Sequence, residues 1–298
     1  MSELVDFGFR VYNKVERAVG KRLSRTSSYP YLSCDTYFSE CDMTFNSFKT
    51  IFKKELGNFT LRIPREEISI YCQLSHVQEL LLLLEKNQID GFGQLLVGDS
   101  DEPLGEIFKT HALDFFKELY LVNHKGEGSR IFNLPIGLEN KIYSSPLRLN
   151  TYKNAKGNKK EFGLLVCWND DTNPQIRKVV RDELKNAKIA LHIDKRIPFQ
   201  ILAKYTKRSY LVACPAGNGI DTHRIWESLY MGSLPVMLEK DASIFDSVWP
   251  IHKVSSWNDL VNITIDEAVD IYEMYADRII AMSEISTNFI SRFGRKKR

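Results

Sequence analysis

The segment Cys214-Pro215-Ala216-Gly217-Asn218-Gly219-Ile220-Asp221-Thr222-His223-Arg224-Ile225-Trp226-Glu227 carries residue types whose spacing suits anion chemistry. Two glycines around Asn218 let backbone approach a ligand closely, and the helix predicted from about Thr222 to Met231 offers free N–H groups to an anion. His223 and Arg224 occupy its first turn, where cations oppose the helix dipole. That local conflict is relieved by a bound phosphate. Glu227 follows Arg224 by three residues and His223 by four, so all three project to one side of the helix. A carboxylate there can accept hydrogen bonds from a ribose or sugar hydroxyl pair, with Arg224 and His223 placed to hold phosphates. An intrahelical Arg224–Glu227 ion pair, with Gly232 ending the helix and Pro235 turning into the next strand, accounts for the same spacing without a ligand.

The elements that must position these residues follow from hydrophobic periodicity. Residues 3–23 predict an amphipathic helix, with Leu4, Phe7, Val11, Val15 and Val19 on one face and Arg10, Lys14, Arg17 and Lys21 beside it. Such a basic stripe suits peripheral contact with an anionic membrane surface, or a solvated flank on a helix packed against its own domain. Beyond residue 25, short apolar runs alternate with longer amphipathic ones, the pattern of an α/β chain with parallel strands. Phe59–Ile63, Ile68–Cys72 and Gln94–Val97 predict strands; Val77–Glu85 and Gly105–Glu118 predict helices. Asn150 to Lys160, rich in Lys, Asn and Gly, predicts a linker. A second α/β half opens with the strand Phe162–Trp168 and the turn Asn169-Asp170-Asp171-Thr172-Asn173-Pro174, which caps a helix from Gln175 to Asn186. Strands over Ala187–Ile193, Tyr210–Cys214 and Leu234–Leu238 follow, then a terminal helix over Ile265–Arg292.

Composition bounds the classes open to the chain. Its 298 residues, 43% hydrophobic and 27% charged, fit about two globular domains of ~150 residues. The 41 Lys and Arg against 38 Asp and Glu leave a net charge of +3, which argues against nucleic acid as a partner. No apolar run approaches the ~20 residues that span a bilayer. Five scattered cysteines predict neither a disulfide framework nor a zinc knuckle, and no signal peptide is read at the start. A cytoplasmic location is expected.

From Pro215 to Val236 the chain resembles the exostosin-like glycosyltransferases, whose pattern runs approximately Pro-Arg-Gly-Asn-Gly-x-Asp-x-His-Arg-x-Trp-Glu-x-Leu-x-x-Gly-x-x-Pro-Val. Thr172-Asn173-Pro174 with Arg177, Pro135-Ile136-Gly137-Leu138, and the strand entering Gly98-Asp99-Ser100-Asp101 resemble the same group, so the likeness spans roughly residues 90–240. It implies a GT-B fold, two Rossmann-like domains facing across a cleft. The domains expected are 1–148 for the acceptor and 149–270 for the nucleotide-sugar, with 271–298 a terminal helix able to pack back on the first. The resemblance implies that Arg224 contacts the donor diphosphate, that Glu227 contacts ribose or sugar hydroxyls, and that Gly217, Asn218 and Gly219 meet phosphates through backbone. Asp221 and His223 belong to the same donor site, and Asn173 and Arg177 face it from the first strand-to-helix turn. Where the pattern has Arg after Pro215, this chain has Ala216.

An inverting transfer needs a general base for the acceptor hydroxyl and relief of charge on the departing diphosphate. Asp101 and Asp99 are the expected bases, with His76, His111 and His124 as alternatives. Asp99-Ser100-Asp101 also reads as a helix N-cap before Pro103, and formally as a D-x-D metal motif. The expected activity is therefore metal-free transfer of one sugar from a nucleotide diphosphate donor, such as UDP-xylose, UDP-galactose or UDP-glucuronate, to a glycan or glycoconjugate hydroxyl. Two alternatives stand beside it: a Mn2+- or Mg2+-dependent transferase using Asp99 and Asp101, and a degenerate protein that binds nucleotide or glycan without turnover.

Overall fold

Alternating apolar runs and amphipathic segments build two parallel five-stranded sheets in the computed structural model, which describes residues 26–45, 64–125, 128–141, 143, 147–153 and 159–294. The chain divides into two compact units. Among the described residues, one combines those up to Ile136 with those from Ser286 onward, and the other contains Gly137–Ile285. The helix expected over 3–23 and the strand expected over 59–63 lie outside the described residues. Among those described, no helix is long and apolar enough to cross a membrane.

The first unit runs α1 (Cys34–Glu40), β1 (Met43–Phe45), β2 (Ser69–Gln73), α2 (Val77–Lys86), β3 (Phe92–Gly98), α3 (Glu106–Ala112), β4 (Phe116–Leu121) and β5 (Ile131–Asn133). Its strands lie in the order β1-β2-β3-β4-β5, all parallel. Side chains alternate across such a sheet, and a parallel sheet covered on both sides needs apolar residues on both faces. Ile70, Cys72, Leu95, Val97, Leu119 and Leu121 form one face and share a core with Leu80, Leu81 and Leu84 of α2 and Ala112 of α3. Burying each such leucine contributes about 1.5–3 kcal/mol. On the other face, Tyr71 meets Phe38 of α1, and Tyr120 meets Phe293 at a centroid distance of 4.8 Å. Tyr37 packs edge-on against Phe289 and Phe293, and its hydroxyl donates to the Pro135 carbonyl at 2.9 Å.

The second unit contains α4 (Leu147–Lys153), β6 (Phe162–Val166), α5 (Pro174–Leu184), β7 (Ala190–His192), α6 (Phe199–Lys207), β8 (Ser209–Ala213), α7 (His223–Tyr230), β9 (Leu234–Leu238), α8 (Glu239–Ala242), β10 (His252–Val254), α9 (Ile265–Glu273) and α10 (Ala276–Ile280). The last helix, α11 (Met282–Ile290), runs across the division at Ile285. The strand order is β10-β9-β8-β6-β7, again all parallel. Strand β6 thus pairs with β7 on one side and β8 on the other, and the winding reverses there.

At the amino end of β8, the Lys160 ammonium donates to the carbonyls of Ser209 at 2.8 Å and Gly232 at 2.5 Å, and to Ser233 Oγ at 2.9 Å. It also lies 5.2 Å from the centre of the Tyr272 ring. Burial pushes its pKa down to about 7. This anchor holds the segment that follows α7, where Gly232 takes a φ of +79°.

Three expected elements differ from those observed. The helix expected over Gly105–Glu118 ends at Ala112, and β4 begins at Phe116. Phe116, Leu119 and Leu121 are buried against the β3 ladder, and apolar residues at adjacent positions there serve two sheet faces rather than one helix stripe. The expected linker overlaps α4, so Asn150–Lys153 are helical. The expected terminal helix is three helices, broken around Tyr275 and Ala281.

Candidate functional site

In an open parallel sheet, ligands bind beyond the carboxyl ends of the strands where the strand order reverses. Here that place lies between the loops following β6 and β8. After β6, the chain passes Cys167, Trp168 and Asn169, makes one short turn over Asp170–Thr172, and reaches Asn173. Asn173 caps α5 by accepting from the Ile176 amide at 3.3 Å, and Pro174 fills the first helical position. After β8 come Cys214, Pro215, Ala216 and Gly217.

Direct hydrogen bonds tie the two loops together. Asn173 Nδ2 donates to the Gly217 carbonyl at 2.8 Å. Arg177 donates through Nε to the Ala216 carbonyl at 3.1 Å, and through Nη1 to the Asn169 carbonyl at 2.8 Å and to Thr172 Oγ1. The Gly217 amide donates to the Gly219 carbonyl at 2.9 Å, so it closes a turn within the loop instead of facing a ligand.

A cavity of about 470 Å3, within the usual range for small-molecule sites, opens beside these loops. Of the expected donor-site residues, Arg224 and Glu227 line it. Its apolar wall includes Cys167, Trp168, Ile197, Phe199 and Leu202. Its cations are Arg148, Lys178, Arg181, Lys195, Arg196 and Arg224, against the carboxylates Asp170, Asp171, Asp194 and Glu227. The excess of cations favours an anionic ligand. Arg181 is committed within the protein: it contacts Asp170 at 3.0 Å, Asp194 at 2.6 Å and the Trp168 carbonyl at 3.0 Å, and lies over the Trp168 ring.

Arg224 is differently placed. Its Nη1 lies 3.4 Å from Glu227 Oε2, yet neither Nη1 nor Nε, both shielded from solvent, has a hydrogen-bond partner among the described residues. The intrahelical pair anticipated from the spacing is present but leaves donor capacity unused. Such buried, unsatisfied donors are uncommon in native proteins. Burial opposes the Arg224 charge, while the Glu227 carboxylate favours it, and its pKa stands above the ordinary value. Arg177 is shifted the other way, first by burial and then by the nearby positive charge of Arg224. One carboxylate beside Arg224, with Nε and Nη1 still unused, leaves room for a further negative charge.

The remaining expected residues have other partners. Asp221 is buried, and its Oδ1 accepts from the Trp226 indole at 2.7 Å, which ties the loop to α7. His223 Nδ1 donates to the Gly137 carbonyl at 2.7 Å. Asn218 is exposed, and Gly219 is half-buried. In the first unit, Asp99 follows β3 with a φ of +63° and accepts from Gln73 Nε2 at 3.0 Å. The Asp101 carbonyl accepts from the side chain of Asn123, itself at a φ of +58°, at 3.0 Å. Left-handed conformations at these two non-glycine residues, after consecutive strands, are the kind of strain that gathers at functional sites. His76 Nδ1 is 2.8 Å from Ser75 Oγ, His111 packs edge-on against Phe115, and His124 is buried. Among the described residues, no group of three or more His, Cys, Asp or Glu side chains is arranged to hold a metal ion.

Sequence reasoning did not pick out Trp168, Phe199 and Arg148 as cavity residues. Trp168 has a buried indole N–H with no partner among the described residues, and the Arg148 guanidinium lies 4.5 Å from the centre of the Phe199 ring. The signal available was Trp168 itself, a large aromatic at the end of the run that opens the Asn169–Pro174 turn. No family model matches the chain, and no curated protein matches it.

Proposed function

We propose that the chain is a nucleotide-sugar-dependent glycosyltransferase of the GT-B type, with its donor held in the second unit. The observation that carries this reading is Arg224: a half-buried guanidinium whose shielded Nε and Nη1 have no hydrogen-bond partner among the described residues, on the first turn of a helix, lining a cavity at the reversal point of a doubly wound sheet. The donor diphosphate binds Arg224 and the amino end of α7. Glu227 accepts from ribose or sugar hydroxyls. Trp168 and Phe199 form the wall against which the nucleoside packs. As the glycosidic bond breaks, charge develops on the departing diphosphate, and a positioned guanidinium is more effective there than water because it needs no reorganisation. Asp101, after β3, serves as the general base that takes the acceptor proton.

Ala216 favours a second reading, nucleotide or glycan binding without turnover. A cation of the resembling pattern is missing there, and the Ala216 carbonyl is occupied by Arg177. Thermal unfolding with a panel of nucleotide-sugars, each with and without EDTA, tests the proposal. One nucleotide class should stabilise the protein without added metal, by about 2.7 kcal/mol at a hundredfold excess over Kd. Stabilisation only with Mn2+ would instead support the metal-dependent alternative. Release of free sugar or transfer to a glycan separates an enzyme from a binding protein.

A further inference from the structure

We infer that Arg177 is a positioning residue and that position 217 is glycine to let Arg177 through, so the pair shapes the anion site without touching the anion. The inference rests on the donor-site reading above and revises which residues of that site meet the ligand.

Arg177 lies on the first turn of α5, held there by the Asn173 cap, and is almost fully buried. Three of its contacts go to the two loops at the reversal point: the carbonyls of Asn169 and Ala216 and the hydroxyl of Thr172. A planar guanidinium with fixed forked donors can join two backbones in this way, whereas an ammonium is a single point of attachment. Arg177 is absent from the cavity wall that contains Arg224 and Glu227.

Gly217 explains how the guanidinium reaches its partners. A Cβ at this position would stand 2.8 Å from Arg177 Nη2 and 3.5 Å from its Cζ. The φ of Gly217 is not in the left-handed region, so backbone conformation alone does not demand glycine. Its amide is already bonded to the Gly219 carbonyl, which leaves close approach to a ligand phosphate as a poor account of the residue. The close approach that the structure shows is to Arg177. Through the Ala216 carbonyl, this contact fixes the start of the loop that leads into α7, and the Asp221–Trp226 bond fixes its end. Arg224 emerges from that helix with its position set at both sides.

The test is a double-mutant cycle on the full chain with two readouts, UDP affinity by calorimetry and thermal unfolding. Gly217→Ala and Arg177→Lys should each weaken UDP binding about tenfold, and the double variant should lose no more than about tenfold, because both remove one arrangement. If Arg177 met a phosphate directly and Gly217 admitted another, the losses would multiply to about a hundredfold, and the inference would be overturned. In unfolding, Gly217→Ala should lower the Tm by roughly 3–8 °C in the native background and clearly less beside Arg177→Ala, where the space is vacated. Equal shifts in both backgrounds would also overturn it. Should Arg177→Ala not fold, Arg177→Met provides the same vacated fork with the stem retained. A native chain that binds no nucleotide would refute the donor-site reading alone, since the coupling in unfolding still decides the Arg177–Gly217 relation.

Discussion

Both sheets are made of parallel strands, but they are wound differently. In the first, each strand is added beside its predecessor, β1 through β5, and α2 and α3 share one core on one face. Aromatic side chains from α1 and from the segment after Ser286 cover the other face. The second sheet starts one strand in from its edge at β6, goes out to β7, and returns across β6 to β8, β9 and β10. Only this reversal makes the loops from two neighbouring strands part in opposite directions, and the 470 Å3 cavity lies beside it. The first sheet has strained strand ends at Asp99 and Asn123 instead, stitched by Gln73 and by the Asn123–Asp101 contact. The difference teaches that winding order, rather than strand composition, accompanies the cavity beside β6 and β8.

The sharpest test of this division is Asp101→Asn. Transfer should fall by about 10²–10⁴-fold while UDP affinity stays within twofold of native, measured by turnover and calorimetry. A matching loss of UDP affinity would put Asp101 in the donor site and break the comparison. Next in size, Arg224→Ala should weaken UDP binding by roughly 2–5 kcal/mol, because it removes a largely shielded charge and leaves the buried Glu227 uncompensated. Unchanged affinity would remove the second sheet's claim to the donor.

Smaller effects separate the supports of the two sheets. Replacing Lys160 by Met removes its hydrogen bonds to the carbonyls of Ser209 and Gly232, which keep those from Ser233 Oγ and the Tyr272 hydroxyl, and should lower stability by about 1–2 kcal/mol in denaturant unfolding. The pH dependence has a definite sign. Folded Lys160 releases its proton near 7 while an unfolded lysine does so near 10.4. Between those values the unfolded chain binds more protons, so stability rises with pH across that window, and Lys160→Met should flatten this component of the slope. Tyr37→Phe should cost the first unit about 1 kcal/mol by removing the hydrogen bond to Pro135, with no change in UDP affinity.

The second half was the more legible in the amino-acid sequence, for physical reasons. Leu234–Leu238 was expected as a strand and is one, and α7 lies inside the helix expected from about Thr222 to Met231, with Gly232 at its end. Strong local punctuation by Asn173-Pro174 and Gly232 made this possible. Helix α6 and strand β10 were not anticipated. Helix α6 carries Lys204 and Lys207 among few strong boundary signals, and β10 is three residues long. Within the site, residue identity was easier to read than residue duty. Asp221 looks like a ligand in a glycine-rich loop, but its partner is the indole of Trp226, five positions later and one helical turn into α7. Gly217 looks like a phosphate cradle, and only the fold reveals that a side chain from α5 passes over it. Chain contacts across 39 to 44 residues, such as Arg177 to Ala216 and Asn173 to Gly217, leave no periodic trace in a linear text.

The aromatic cover of the first sheet has a bearing on how the molecule is made. Phe289 and Phe293 complete that cover, and Gly294 docks by donating to Ser69 Oγ at 3.1 Å, at a place where a Cβ would stand 1.8 Å from the Glu40 carbonyl oxygen. During synthesis these residues leave the ribosome after all of Gly137–Ile285. The face of the earlier-made unit that carries Tyr37 and Tyr120 therefore stays uncovered until the later-made one has emerged. The core between the sheet and α2 and α3 needs no residue of that tail, so it is the tyrosine face alone that is sealed last.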